Sequence, residues 1–212
     1  MDFLPGLATL ATFTAASLLL FLTPGPDMSL FLARTLSSGR SSGIATIIGT
    51  NIGCLIHTCL AAIGVSALVA ASATAFFMLK IVGALYLLWL AYNALRHGSS
   101  FTLNAERQPA SLHESFFMGL TINLINPKVA LFFITFLPQF VSATDPHVTS
   151  KLFFLGVWFV LVSIPPSLIM IWGAARLVNW LQKKPTVLRG IDLSFAAVFA
   201  FFALRIVMTQ GK

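Results

Sequence analysis

The sequence predicts an all-α membrane protein of six transmembrane helices, built as two inverted three-helix repeats with the first and fourth helices broken at proline. Three observations predict it. Of 212 residues, 58% are hydrophobic and 9% are charged, against roughly 25% charged in a soluble domain, so lipid must be the solvent for most of this surface. Six apolar stretches each approach the ~20 residues that cross a bilayer. Two proline breaks occupy corresponding places: Gly25-Pro26-Asp27-Met28-Ser29-Leu30-Phe31-Leu32 lies over Asn126-Pro127-Lys128-Val129-Ala130-Leu131-Phe132-Phe133.

The first helix is expected from Leu4 to Leu22, a break at Pro24-Gly25-Pro26, and a continuation to Leu36. As one unbroken helix it would be too long for a single unstrained span. No basic region precedes it, so it reads as a retained helix rather than a cleaved signal. Ser37 to Ser42 reads as a polar turn. The second helix, Gly43 to Ala70, carries Gly49-Thr50-Asn51-Ile52-Gly53, a small-residue pattern that suits close helix packing or a homodimer face. The third, Thr74 to Leu95, contains Lys80. A polar linker over 97–113 divides the chain into repeats of approximately 1–97 and 112–212 within one membrane domain. The fourth helix runs from Ser115 to Leu137. The fifth runs from Leu152 to Leu177 through Pro165-Pro166, which suit a hinge or a static kink. A basic loop over 176–189 leads to the sixth, Ile191 to Met208.

The third and sixth helices also match in register, Lys80…Ala94-Leu95-Arg96 over Arg189…Ala203-Leu204-Arg205. Three helices per half make the second half enter from the opposite side, an inverted repeat. The net charge of +7 then reports topology rather than nucleic-acid binding. Arg34, Arg40, Arg96, Arg107, Arg176, Lys183, Lys184 and Arg189 gather after the odd-numbered helices, which places those turns in the cytoplasm and both termini in the periplasm.

Matched helix breaks that carry ionisable residues point to a transporter's substrate site. A charge inside a membrane helix costs about 2.5–3.5 kcal/mol on insertion scales. Lys128 therefore needs a partner, a wet cavity or an anionic substrate, and Asp27 is the evident partner. A salt bridge that only joins two helices, and a helix cap for Asp27, are the plain alternatives. Pro24, Pro26 and Pro127 remove backbone donors and free carbonyls one turn earlier. Together with Gly25 and Asn126, the breaks offer N–H groups and Lys128 to a carboxylate, and freed carbonyls and Asp27 to an ammonium. That pattern suits a zwitterionic amino acid, with Asp27 also the candidate proton-coupling group. Asn51 and Lys80 join the substrate-site candidates, although an asparagine in a membrane helix also serves as interhelical glue and Lys80 is placed to snorkel. Asn123 reads as such glue, and His57 as a core histidine. Arg189 and Asp192 read as a structural pair, and Cys54 and Cys59 as buried hydrophobes. Neither a catalytic constellation nor a cofactor or metal motif is present, which argues against an enzyme.

Three passages carry a family resemblance: Thr23-Pro24-Gly25-Pro26-Asp27, Lys80-Ile-Val-Gly-Ala-Leu-Tyr-Leu-Leu-Trp-Leu-Ala-Tyr, and Asn126-Pro127-Lys128-Val-Ala-Leu-Phe-Phe followed by Pro138-Gln139-Phe140. In these the chain resembles the LysE/RhtB family of amino-acid exporters, over nearly its whole length. The resemblance implies a multi-pass protein of the bacterial inner membrane, driven by the proton motive force, that exports homoserine, threonine, leucine or related amino acids. Asp27 stands where many members carry Asn, Ala91 where a glycine is common, and Phe195-Ala196 where a glycine-containing stretch is expected, so the resemblance leaves the substrate open. The competing readings are a metal-cation exporter using Asp27, Cys54 and His57, and a membrane scaffold or redox relay.

Overall fold

A computed structural model describes residues 4–97, 110–142 and 144–209, and every regular element among them is helical. The elements are α1 (Leu7–Leu22), α2 (Pro26–Ser38), α3 (Arg40–Ala71), α4 (Ala73–His97), α5 (Leu112–Ile125), α6 (Pro127–Leu131), α7 (Val148–Trp172), α8 (Ala174–Lys183) and α9 (Pro185–Thr209). After α6 the chain winds through a π-helical turn at Phe132–Phe136 and a 3-10 turn at Leu137–Phe140.

Four helices among the described residues are long and apolar enough to cross a membrane, namely α3, α4, α7 and α9. Two bent pairs supply up to two more: α1 with α2 at 57°, and α5 with the segment Pro127–Phe140 at 54°. The chain is thus an all-α, multi-spanning membrane protein with two spans broken at prolines. Each break follows from its residues. Pro26 opens α2 and Pro127 opens α6, each in the first turn, where a missing N–H costs nothing. The extended Gly25 and Asn126 in front of them turn the chain.

Several boundaries differ from the sequence reading. The turn expected at Ser37–Ser42 shrinks to Gly39, whose φ of 87° lies in the region that favours glycine. The fifth helix stops at Trp172 rather than Leu177, and it continues as one helix past Pro165 and Pro166. The expected basic loop is largely helical. Ala174, Val178 and Leu181 recur at helical spacing and are buried, while Arg176, Lys183 and Lys184 stay exposed, so α8 is amphipathic. The sixth helix starts at Pro185. Most of the predicted linker lies outside the described residues. Its end is fixed by a capping box, in which Glu114 N donates to Ser111 Oγ at 3.2 Å and Ser111 N donates to Glu114 Oε2 at 2.8 Å.

Packing joins the two halves at every level. α3 lies most intimately on α5, α4 on α9, α3 on α7, and α1 on α7. Glycines permit the α3–α5 approach. A Cβ on Gly49 would fall 2.1 Å from Phe116 O, and one on Gly119 would fall 2.3 Å from Thr46 O. Gly53 faces the Asn123 side chain in the same seam. The glycines that sequence alone offered equally to a dimer face are therefore occupied inside the molecule. Two apolar clusters form the interior. One is dominated by Phe13, Phe132, Phe133, Phe136, Phe159 and Phe199. The other gathers Met28, Phe31, Leu32, Ile47, Ile171, Val178 and Leu181 beneath α8.

Candidate functional site

The two breaks face each other across a cavity of about 60 Å³, large enough to admit water. Leu20, Cys54, Val129 and Phe159 of its wall belong to the first apolar cluster, and Met28, Phe31 and Ile47 to the second, so the cavity lies between them. Its polar wall is Thr23, Asp27, Asn123, Asn126 and Lys128 from the breaks, with Thr50 and Asn51 from α3 and Ser163 and Ser167 from α7.

The groups of each break are held by the other. Pro24 cannot donate to the carbonyl one turn back, which leaves Leu20 O without its helical partner. Lys128 reaches across from the second break and donates from Nζ to Leu20 O at 3.0 Å and to Thr23 O at 2.9 Å. In the opposite direction, Asn123 donates to Asp27 Oδ2 at 2.9 Å and Asn126 donates to Asp27 Oδ1 at 3.3 Å. Asn126 does two jobs, because its Oδ1 also accepts from Lys128 N at 3.0 Å and caps α6. The ion pair expected between Asp27 and Lys128 does not form among the described residues. Each charge is satisfied by the opposite break, and both line the cavity. Asp27 sits in the first turn of α2 without capping it, where a helix N-terminus favours a negative charge.

Asn123 is the hub of this arrangement. Besides Asp27, its side chain meets Cys54 Sγ, 3.5 Å from Nδ2. Its own carbonyl, which Pro127 leaves without a helical donor, lies 3.4 Å from His57 Nε2 and accepts from Asn126 N at 3.1 Å. The three ligands of the metal reading thus converge on one residue, Asp27 and Cys54 on its side-chain amide and His57 on its backbone carbonyl. Among the described residues, no three His, Cys, Asp or Glu side chains are grouped to hold a metal ion.

Other candidates fall as follows. Gly25 lines the cavity, and a Cβ there would lie 3.7 Å from Lys128 Nζ. Pro24, Pro26 and Pro127 shape the breaks without contributing to the cavity wall. Asn51 lines it and accepts from Ser163 Oγ at 3.2 Å. Lys80 is not brought to the site. It donates to Val141 O at 3.0 Å beyond the end of the second broken span, with its ammonium 4.6 Å from the Phe76 ring. Cys54 is buried, but Cys59 is exposed, contrary to expectation. Arg189 donates to the Leu95 carbonyl of α4, and Asp192, one turn further along α9, is buried. Thr50, Ser163 and Ser167 were not legible as wall residues. Hydroxyls inside apolar helices commonly bond back to their own backbone, as Ser167 Oγ does to Ser163 O at 2.6 Å.

The sequence pattern of the LysE type translocator family matches residues 18–210. The chain is 30% identical over 183 residues to a homoserine/homoserine lactone efflux protein of Salmonella typhimurium, covering 86% of this chain and 88% of that protein. It is 31% identical over 182 residues to an uncharacterised membrane protein of Vibrio cholerae, covering 84% and 86%. It is 28% identical over 206 residues to an uncharacterised membrane protein of Pseudomonas aeruginosa, covering 95% of both chains. No solved structure matches.

Proposed function

The chain belongs to the LysE type translocator family of the inner membrane, and from that premise we propose that it exports a small amino acid, or a close derivative of the homoserine type, by proton-coupled alternating access. One observation carries the reading: the cavity wall presents a carboxylate and an ammonium, each held by the opposite helix break. A zwitterion satisfies both. Its ammonium bonds to Asp27, and its carboxylate draws Lys128 away from the Leu20 and Thr23 carbonyls. Asp27, once the substrate leaves, is the group that takes a proton for the return step. A substrate with one charge would leave the other wall group without a ligand partner, at the cost of an unmet buried charge.

The two halves act as inverted repeats in this reading. The similar bend angles of 57° and 54° support it, as does the pairing of second helix with second (α3 with α7) and third with third (α4 with α9). Rocking of the halves would open one apolar cluster while the other stays packed. The basic turns support an orientation with α8 on the cytoplasmic side and both termini in the periplasm. Single cysteines at Ser142 and Lys184, probed with an impermeant thiol reagent, should label from opposite sides.

Efflux from preloaded proteoliposomes tests the assignment. Homoserine should leave faster when a pH gradient is applied, and Asp27→Ala and Lys128→Ala should each remove that flux. Unchanged efflux in both variants overturns the site.

A further inference from the structure

We propose that the outer face of α8, with the helix ends beside it, binds the headgroups of anionic phospholipids. The inference does not depend on what is exported. It starts from where α8 can lie. α7 has 25 residues, about 38 Å of helix, which already exceeds the ~30 Å hydrocarbon core. α9 carries its own apolar span, Thr186–Leu204. The 10 residues of α8 between them therefore lie at the level of the headgroups rather than inside the core.

The two faces of α8 meet different surroundings. Ala174, Val178 and Leu181 are buried in the second apolar cluster. Arg176, Asn179, Trp180 and Lys183 recur at i, i+3, i+4 and i+7 and are exposed, so they form one outward stripe. Lys184 is exposed just beyond it. Residues 173–184 contain no Asp or Glu, and among the described residues no carboxylate pairs with Arg176, Lys183 or Lys184. Trp172 is 69% exposed at the end of α7, and Arg40, which opens α3, holds its guanidinium 5.5 Å from that ring. Four cations and two exposed tryptophans thus gather at one level.

That composition selects the partner. Tryptophan rings settle at the boundary between membrane and water, a preference that a soluble acidic ligand would not call for. The aliphatic stems of lysine and arginine lie along apolar surface while their charges reach the phosphates, and arginine fits a phosphate with paired N–H donors. Each Lys or Arg near the surface adds to the attraction for anionic lipid, whereas a zwitterionic headgroup has no net charge to be drawn.

The test reads Trp180 in vesicles. With Trp89→Phe, Trp158→Phe and Trp172→Phe, Trp180 is the only tryptophan left. In phosphatidylcholine vesicles holding a minor fraction of brominated lipid, brominated phosphatidylglycerol should quench its fluorescence at least about two-fold more than brominated phosphatidylcholine does. Arg176→Gln/Lys183→Gln/Lys184→Gln should bring that ratio to one, and about 0.5 M NaCl should lower it. A ratio of one with α8 unaltered overturns the proposal and leaves the stripe to a soluble acidic partner. An excess that survives the triple charge substitution overturns it too. Should that variant not accumulate, the salt arm decides, and a ratio unmoved by salt overturns the proposal. If the single-tryptophan protein does not accumulate, the protein with all its tryptophans must show the excess and lose most of it on Trp180→Phe, and an excess that persists overturns the proposal.

Discussion

Lys128, at the second helix break, donates a 2.9 Å hydrogen bond to the carbonyl of Thr23 at the first. The bond explains how a lysine survives in this span. The prolines that make the breaks also free carbonyls, and a freed carbonyl inside a membrane needs a donor. Lys128→Met keeps an unbranched side chain one atom shorter and removes the charge. It should leave Leu20 O and Thr23 O without their shared donor, at about 1.5–3 kcal/mol for bonds to a charged group. The expected outcome is loss of homoserine efflux with a lowered Tm in detergent, both measurable on one preparation.

The α3–α5 seam predicts a contrast between two glycines on the same helix. At Gly49 a Cβ would lie 2.1 Å from Phe116 O and 2.8 Å from Leu120 N, both backbone atoms that cannot swing aside. Gly49→Val should therefore destabilise by at least the ~1–3 kcal/mol of ordinary overpacking. A Cβ at Gly64 meets nothing within 4 Å, and Gly64→Ala should be neutral or gain up to about 1 kcal/mol of helix propensity. Thermal unfolding of the two purified variants decides it. Equal Tm values would contradict the packing.

The spans and the breaks could be read from the chain because composition and proline act locally. Apolar length marks α3, α4, α7 and α9, and a proline cannot donate to the carbonyl one turn before it. Asn123 was harder to recognise. The repeat sets Leu22 opposite it, so register gave no signal, and a lone asparagine in an apolar helix has the look of packing glue. Its role comes from lying one turn before Pro127 and across from Asp27, a relation between distant segments. Lys80 misled for the converse reason. Its place in the third helix matches Arg189, yet the carbonyl it serves is Val141 O, outside the site. α8 stayed hidden behind its charges, because the buried Val178 and Leu181 matter only once α2 lies beneath them.

The loop before α7 makes a pH prediction independent of transport. The Lys151 ammonium, and then the His147 N–H at 2.9 Å, hold the Asp145 carboxyl below its ordinary value. A depressed folded value means that the stabilisation is present above the unfolded aspartate range and disappears as pH falls through the folded value, so it is lost below about pH 4. The group is near the surface, which limits the contribution to about 0.2–1 kcal/mol. Asp145→Asn should lower Tm by at most ~3 °C at pH 7, the difference should shrink as pH falls below about 4, and efflux at neutral pH should not change.

Asn123 gives the sharpest test of whether the two breaks form one site. Its amide donates to Asp27 Oδ2 at 2.9 Å, and a Cβ on Gly53 would meet its Oδ1 at 2.4 Å, so α3 and α5 clamp it against the carboxylate. Asn123→Ala removes one of two donors to Asp27 and opens the seam without touching either break's backbone. If Asp27 binds the substrate ammonium, its loosened carboxylate should bind less well, and a lost bond to a charged group corresponds to about ten-fold or more in KM. Asn123→Asp is the more telling change. It keeps the shape but sets a second carboxylate against the first, where two negative charges so close cannot both ionise freely. The pH dependence of efflux should then move toward higher pH than in the wild type, because the pair holds a proton longer. Asn123→Ala should not move it in that direction. A KM and pH profile unchanged in both variants would mean that Asp27 acts apart from the second break, and the crossed arrangement would be packing alone.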